Sequence, residues 1–330
     1  MKLVKKILHR LNGLYYPQEY LCFARETFEN PLQAYLVDGP PGTVKKKVIK
    51  DITKLHSFTG YSPLIISLPS SAIPSVSSST INIAFANQSL PPNALIPKKD
   101  AIAFLSLKKI KEQQAGDEMI SHYEGVRARH RFISAFHQLI IRLNNRLYNK
   151  IPGNVFLPGN LYTQVQVAYS LPRIISLVTI KKNGAFNLFP TDLHGPVNDD
   201  HYIISLRQKG KACEQVLTTG SILLTQLHSD FYQTAYALGK NHMREMKGKE
   251  NFPFSREVSA HLQLPLPKSA LFYRELELQD SFIHGIHRLM LFKTLYSQQV
   301  QDAPSTLAHI HNTYATWRHN KGLAGNYLVR

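Results

Sequence analysis

The sequence predicts a mainly β protein with added helices: a second half built as a barrel or sandwich of short strands, and a first half of mixed α+β character. Three observations lead there. Apolar, partly β-branched runs at 173–180, 185–190, 201–207 and 221–227 alternate with turn residues. The first half mixes similar runs with helical periodicity. The 330 residues suffice for about two domains, and Ile151-Pro-Gly-Asn with Leu157-Pro-Gly-Asn punctuates the chain near the middle. The expected division is therefore 1–150 and 151–330.

Taken in order, residues 2–12 read as an amphipathic helix, with Leu3, Val4, Ile7, Leu8 and Leu11 at helical spacing. Thr43 can cap a second helix through Leu55, with Val44, Val48, Ile49, Ile52 and Leu55 on its apolar side. Strands are expected at Pro63–Leu68, Ile81–Ala86 and Ala101–Leu107, the first two separated by a Ser/Pro-rich link from Pro69 to Thr80. From Asp117 to Tyr148 the pattern reads as one long helix. Ile120, Tyr123, Phe132, Phe136, Leu139 and Leu143 form its stripe, and Arg127, Arg129, Arg131, Arg142 and Arg146 its basic side. Beyond the four strands of the second half come a helix at Asp230–Met246, strands at Ala270–Leu278 and Leu289–Tyr296, and a closing helix at Ser305–Trp317.

A weak internal echo runs through the chain. Pro63-Leu-Ile-Ile-Ser-Leu matches Pro172-Arg-Ile-Ile-Ser-Leu, Ile81-Asn-Ile matches Phe186-Asn-Leu, and Phe104-Leu-Ser-Leu-Lys matches Ile204-Ile-Ser-Leu-Arg. Duplication and a shared vocabulary of buried strands both account for it.

Charge and cysteine narrow the setting. The net charge is +17, and residues 1–150 hold 21 Lys/Arg against 10 Asp/Glu. Such a field attracts polyanions, whether nucleic acid, acidic surfaces or phosphorylated cofactors. Basicity alone does not favour nucleic acid among them. No apolar run is long enough to span a bilayer, and the basic residues spread through the first eleven positions do not read as an export signal. Cys22 and Cys213 form no disulfide framework, so a reducing, cytoplasmic setting is expected.

Several chemistries fall away. Val37-Asp-Gly-Pro-Pro-Gly-Thr-Val-Lys-Lys has Val44 and Lys46 where a nucleotide-binding P-loop needs Gly and Ser/Thr, so it reads as a turn and a helix cap. No Gly-x-Ser-x-Gly elbow is present. His284 with His287, and His309 with His311, lack a neighbouring Cys or acid in sequence, and no metal site is expected. Ser205 to Val216 is more specific. A strand ends at Ser205-Leu206, then Arg207, Lys209 and Lys211 surround Gly210 before a helix. Cations beside the exposed amides of a helix start suit a phosphate monoester.

With these residues in view, roughly 165–300 resembles the flavin reductase-like, FMN-binding split-barrel family. The resemblance is carried by Pro172-Arg173, Val178-Thr179, Asn187, Pro190-Thr191, Pro196-Val197, Ser205-Leu206-Arg207, Lys211 and Gly285-Ile-His287, in the family's order. It implies a C-terminal six-stranded antiparallel split barrel that binds FMN at a homodimer interface. The N-terminal α+β domain is either unrelated or a degenerate second barrel. Thr179, Asn187, Thr191 and Asp192 would lie near the ring and ribityl chain. Arg207 and Lys211 would neutralise the phosphate, with amides of Gly210 to Ala212 adding to them. Ala212 stands where the family has a hydroxyl residue, and Gly210 sits one place late. The implied activity is that of an oxidoreductase of the flavin reductase type, with hydride transfer between NAD(P)H and flavin. His287 is the catalytic candidate on the nicotinamide side or a structural histidine. A non-catalytic flavin- or haem-binding module, and a polyanion-binding protein using the basic first half, are the alternatives.

Overall fold

A computed structural model describes residues 2–16, 19–24, 31–39, 45–73, 79–97, 100–148, 155–302, 306–323 and 327–329. Helix α1 (Lys2–Leu11) leads to strand β1 (Glu19–Ala24). There follow β2 (Gln33–Val37), β3 (Lys45–Asp51), β4 (Ser57–Tyr61), β5 (Leu64–Pro69), β6 (Thr80–Ala86), β7 (Leu95–Pro97) and a long hairpin of β8 (Ala103–Ala115) and β9 (Glu118–His130). Helices α2 (Ala135–Tyr148) and α3 (Leu161–Ala168) connect to β10 (Arg173–Ile174), β11 (Ser176–Lys182), β12 (Ala185–Thr191), β13 (His194–Pro196) and β14 (His201–Arg207). Then come α4 (Lys211–Thr219), β15 (Ser221–Leu227), α5 (Tyr232–Leu238), β16 (Phe254–Val258), β17 (Pro265–Pro267) and a second long hairpin, β18 (Ala270–His284) with β19 (His287–Gln299). Strand β20 (Thr306–His311), α6 (Asn312–Asn320) and β21 (Tyr327–Val329) follow. The protein is mainly β with α additions, and no described helix is long and apolar enough to cross a membrane.

Three expected helices are corrected. Residues 45–51 form strand β3, with Lys46 and Val48 each 1% exposed while Lys47 and Ile49 face solvent. That period of two is a strand's. Lys46 enters the core because its ammonium donates to the Gly39 carbonyl at 2.7 Å and lies over the Phe104 ring. The expected cap Thr43 lies outside the described residues. Residues 118–130 form β9, a central strand bonded on one side to β5 and on the other to β8, and the helix begins only at Ala135. Arg127 and Arg129 therefore belong to a strand and Arg142 and Arg146 to α2. Residues 306–311 form β20 between β1 and β10, and α6 starts at Asn312. In each case pairing on both sides, with at least one partner strand far away in sequence, overrides a local helical spacing.

The two large sheets share one plan. The N-terminal sheet runs β4-β5-β9-β8-β6-β2-β3-β7, and the C-terminal sheet runs β12-β11-β15-β18-β19-β14-β13. Read in chain order, β2 to β6 correspond to β11 to β15, and β8 and β9 to β18 and β19. Seven strands then lie in the same sequence of neighbours, with β7 as an extra edge strand. The hairpins agree residue by residue at a constant offset. Bulges fall between Ser106/Leu107 and Lys109/Lys111 in the first, and between Glu275/Leu276 and Leu278/Asp280 in the second. Their two-residue turns place Gly116 at φ +61° and Gly285 at φ +58°. The degenerate second barrel left open by the sequence is thus present as a repeated sheet. The echo that hinted at it matched the wrong strands: it set β5 against β10 and β11, β6 against β12 and β8 against β14, whereas the ladders match them to β14, β15 and β18. The C-terminal sheet has seven strands where six were implied, and among the described residues its edges β12 and β13 do not pair.

The halves meet across an approximate two-fold axis. Gln113 Nε2 donates to Asp280 Oδ2 at 2.8 Å, and Lys111 Nζ sits 4.4 Å from the Phe282 ring centroid. Gln113 corresponds to Phe282 and Lys111 to Asp280, so the two contacts are the same pairing of positions made twice, as in an isologous dimer. Each hairpin tip also reaches the other half: Gly116 faces the His201 ring, and Gly285 faces Ser62 and Pro63. A four-stranded sheet, β10-β20-β1-β21, ties the two ends of the chain together. A buried cluster including Leu36, Phe58, Ile66, Val167, Ile310 and Tyr314 packs it against the first-half strands.

Candidate functional site

Strand β14 carries Ser205 inward and ends on exposed Arg207. Residues 208–210 then turn the chain, with the Gly210 amide donating to the Arg207 carbonyl at 2.9 Å, and α4 begins at Lys211. The first amides of a helix have no partner inside it, so they face outward beside the cations. Helix α4 packs Ala212, Cys213 and Val216 onto the inner face of the sheet with Val178, Phe189, Ile204 and Met290. This packing is why position 212 is a small apolar residue. A hydroxyl there would be buried.

The N-terminal half completes this corner. Arg207 Nε donates to the Tyr61 hydroxyl at 2.6 Å, and the guanidinium lies 5.7 Å from the Tyr61 ring centroid. The Tyr61 amide donates to His287 Nε2 at 3.2 Å. The acceptor role of Nε2 places the imidazole proton on Nδ1, 3.3 Å from Ser205 Oγ. His287 is fully buried, and burial holds its pKa down at about 4, with Arg207 and His284 adding to the effect. Burial raises the Tyr61 hydroxyl pKa, while Arg207 opposes that shift.

Asp192, between β12 and β13, forms a second polar group nearby. Its Oδ2 accepts from His309 Nδ1 at 2.9 Å, and Tyr169 donates to it. Burial pushes its pKa up, but the His309 bond and charge and the Tyr169 bond together leave it below the ordinary value. Asp192 and Arg207 both act electrostatically on Tyr61 and on His242, whose Nε2 donates to the Pro190 carbonyl at 2.6 Å.

The expected site residues separate into groups. Arg207, Asp192 and His287 gather around Tyr61. Thr191 is buried, and its hydroxyl lies 3.4 Å from the Leu193 amide. Asn187 shares the inner face, and its amide group is engaged with Gln215 Oε1 at 2.6 Å and the Asn241 carbonyl at 3.2 Å. Thr179 lies on the opposite face with Leu177, under the segment that includes Ala235 and Phe254, and its hydroxyl has no partner among the described residues. Gly210 opens the helix against the His242 carbonyl. Lys211 turns to Glu245 at 2.8 Å and Glu214 at 3.5 Å. Both carboxylates also line a surface depression of about 300 Å³ with Lys182, Gln215, Thr218 and Met246. That depression is acidic and does not include Arg207. Tyr61, Tyr169, His242 and His309 were missed, because each is placed by tertiary pairing alone. The histidine pairs do have acids, brought from far along the chain: Glu124 for His284 at 2.6 Å and Asp192 for His309.

No protein-family model matches the chain, and no curated protein does. Solved structures similar to it include flavin reductases and FMN-binding proteins. BorF, the flavin reductase component of a bacterial two-component tryptophan halogenase, is 17% identical, covering 46% of this chain and 94% of its own at a TM-score of 0.40. The styrene monooxygenase flavin reductase of Pseudomonas putida S12 is 16% identical, covering 45% and 91% at 0.38. An FMN-binding protein of Thermus thermophilus is 17% identical, covering 42% and 82% at 0.38.

Proposed function

We propose that this chain binds FMN at the end of β14 and serves as a flavin reductase-type oxidoreductase using NAD(P)H. One observation carries the reading: exposed Arg207, held by Tyr61, stands one short turn before the start of α4. Among the described residues its two terminal nitrogens have no hydrogen-bond partner. A planar cation with outward donors beside helix amides suits a phosphate monoester. In this reading Arg207, the amides at 211 and 212, and Lys211 once released from Glu245 hold the phosphate, and Asp192 and Thr191 face the ribityl and ring end. Bound flavin would supply the two-electron chemistry; the protein's part is to bind and orient it. Thr179 lies on the other face of the sheet and the Asn187 amide is engaged with Gln215 and Asn241, so the reading rests on phosphate recognition more than on contacts to the ring and ribityl chain. A cytoplasmic setting, to which the buried free thiol of Cys213 is suited, and a functional division near residue 150 belong to the same proposal. The two-fold partner expected as a second copy has a counterpart inside the chain, the N-terminal sheet.

The test is an absorption spectrum of fresh protein followed by FMN titration and NADH or NADPH oxidation. Flavin bands and saturation at micromolar FMN are expected. A colourless protein that takes up no FMN at tens of micromolar overturns the reading. A second reading is flavin binding without turnover, in which His287, buried and bonded at both nitrogens, is structural. FMN uptake with no nicotinamide oxidation would select it.

A further inference from the structure

We infer that the phosphate site is assembled once per chain from both halves, with Tyr61 of the N-terminal sheet as a positioning residue for Arg207, so that one chain works alone. The inference rests on the proposed FMN reading and deepens it.

The surface that two identical barrels would share is already used inside this molecule. The pairs Gln113–Asp280 and Lys111–Phe282, and the two hairpin tips seated on opposite halves, are contacts of an isologous interface made within one polypeptide. Tyr61 crosses that interface. Its amide is fixed by His287 Nε2 and its hydroxyl accepts from Arg207 Nε. Nε is the inner nitrogen of the guanidinium, so this bond leaves the fork of the other two pointing outward, the arrangement for a bidentate grip on an oxyanion.

The pseudo-equivalent corner of the N-terminal sheet lacks the same chemistry. The ladders place Ser205 opposite Leu289 and Arg207 opposite His287; they place Pro69 opposite Ile120, so Ser71 and Glu118 occupy the positions of Arg207 and His287. Ser71 Oγ donates to Glu118 there. Glu118 stands where His287 does, the Lys50 ammonium donates to the Ser71 carbonyl at 2.9 Å, and the loop 197–199 that corresponds to Tyr61 is Val-Asn-Asp. Where β14 leads into α4, β5 leads into a three-residue helical turn, Ser70–Ala72. With Ser71 in place of Arg207 and no counterpart of Tyr61, that corner has no guanidinium fork to offer, so the repeat yields one such anion site and not two.

The experiment is titration of the full-length chain with FMN and, separately, with riboflavin, which lacks the phosphate, alongside sedimentation equilibrium. The expected results are a 37.5 kDa particle and one FMN per chain. Tyr61→Phe keeps the ring and removes the hydroxyl. Loss of one charge-assisted hydrogen bond should weaken FMN about 5- to 30-fold and leave riboflavin unchanged. Arg207→Gln, at an exposed position, should weaken FMN more and narrow its difference from riboflavin, the helix amides and Lys211 being left to hold the phosphate. Wild-type protein that binds no FMN overturns the flavin reading itself. Wild-type protein that binds FMN while Tyr61→Phe binds it equally well overturns only the role of Tyr61. Two FMN per chain, or a particle of twice the mass, overturns the internal pairing.

Discussion

Glu275 shows how one side chain fixes a stretch of backbone far along the chain. It is fully buried on β18, and its carboxylate accepts from the His261 amide at 3.0 and 3.1 Å and from the Leu262 amide at 2.7 Å. These bonds anchor the turn that covers Leu223, Leu266 and Tyr273. Glu275→Ala leaves two amides without their acceptor and should cost about 2–3 kcal/mol. Glu275→Gln keeps one acceptor oxygen and should cost about half of that. Urea midpoints of the two variants, with limited proteolysis at 259–264, check this; equal stability of both with wild type contradicts it. The same scale explains what the sequence disclosed of the candidate site. Arg207, Gly210 and Lys211 were legible because the turn between a strand and a helix is local. Tyr61 was not, because its distance from Arg207 along the chain hides a contact that only the pairing of two sheets creates. Thr179 was assigned to the site by motif, yet a one-residue step on β11 sends it to the face opposite Val178.

At the level of elements, the strands of the second half were legible because their apolar runs are bounded by turn residues and β-branched. The three misread helices share a cause. Each holds charged or polar side chains at spacings that satisfy a helix, and each is instead held between two strands, at least one of them remote in sequence. Lys46 is the clearest case: a lysine at a core position breaks the alternating pattern that would have announced β3. The repeat of the sheet was hidden for a related reason. Topology and bulge positions are retained, whereas few side chains are. The two hairpin turns make a sharp comparison. Gly116 and Gly285 both have left-handed φ, which costs a residue with a Cβ about 1 kcal/mol. At Gly116 a Cβ would meet only the His201 ring, at 3.0 Å, and a ring can shift. At Gly285 it would overlap Pro63 and the Ser62 carbonyl, which are held by the Ile286 amide at 3.1 Å. Gly116→Ala should therefore cost about 1 kcal/mol, and Gly285→Ala at least about 3. Because Gly285 lies beside His287, the second variant should also weaken FMN binding. Thermal melts and FMN titrations of the pair test this, and equal losses would show that the hairpin tips do not bear on the other half as the structure places them.

Across the whole molecule, burying neutral histidines sets its response to acid. Burial lowers the pKa of His56, His130, His194 and His287 to about 4, and of His122 and His311 to about 3. Most of these rings serve hydrogen bonds that need the neutral form. His122, for example, joins Ser67 Oγ at 2.8 Å to Gln113 Oε1 at 3.0 Å, linking three strands of the N-terminal sheet. An unfolded chain has ordinary histidines that take up protons once the pH falls below about 6.5. The folded chain does not take them up until about pH 4 or below. Between these limits the unfolded state binds more protons, so stability decreases as pH falls, by up to about 1.4 kcal/mol per pH unit for each such group. Above about pH 6.5 the contribution is fully present and flat. The expected outcome is a steep loss of urea midpoint between pH 6.5 and 4.5, with several protons taken up on unfolding. In His122→Gln the slope should shrink by about one proton, because glutamine can keep one bond of the pair and has no charge to gain. A midpoint that holds level from pH 7 to 5, or a His122→Gln slope equal to wild type, would mean that the rings titrate alike in the two states. Fluorescence-monitored urea unfolding at closely spaced pH values makes the measurement, and the flavin need not be present.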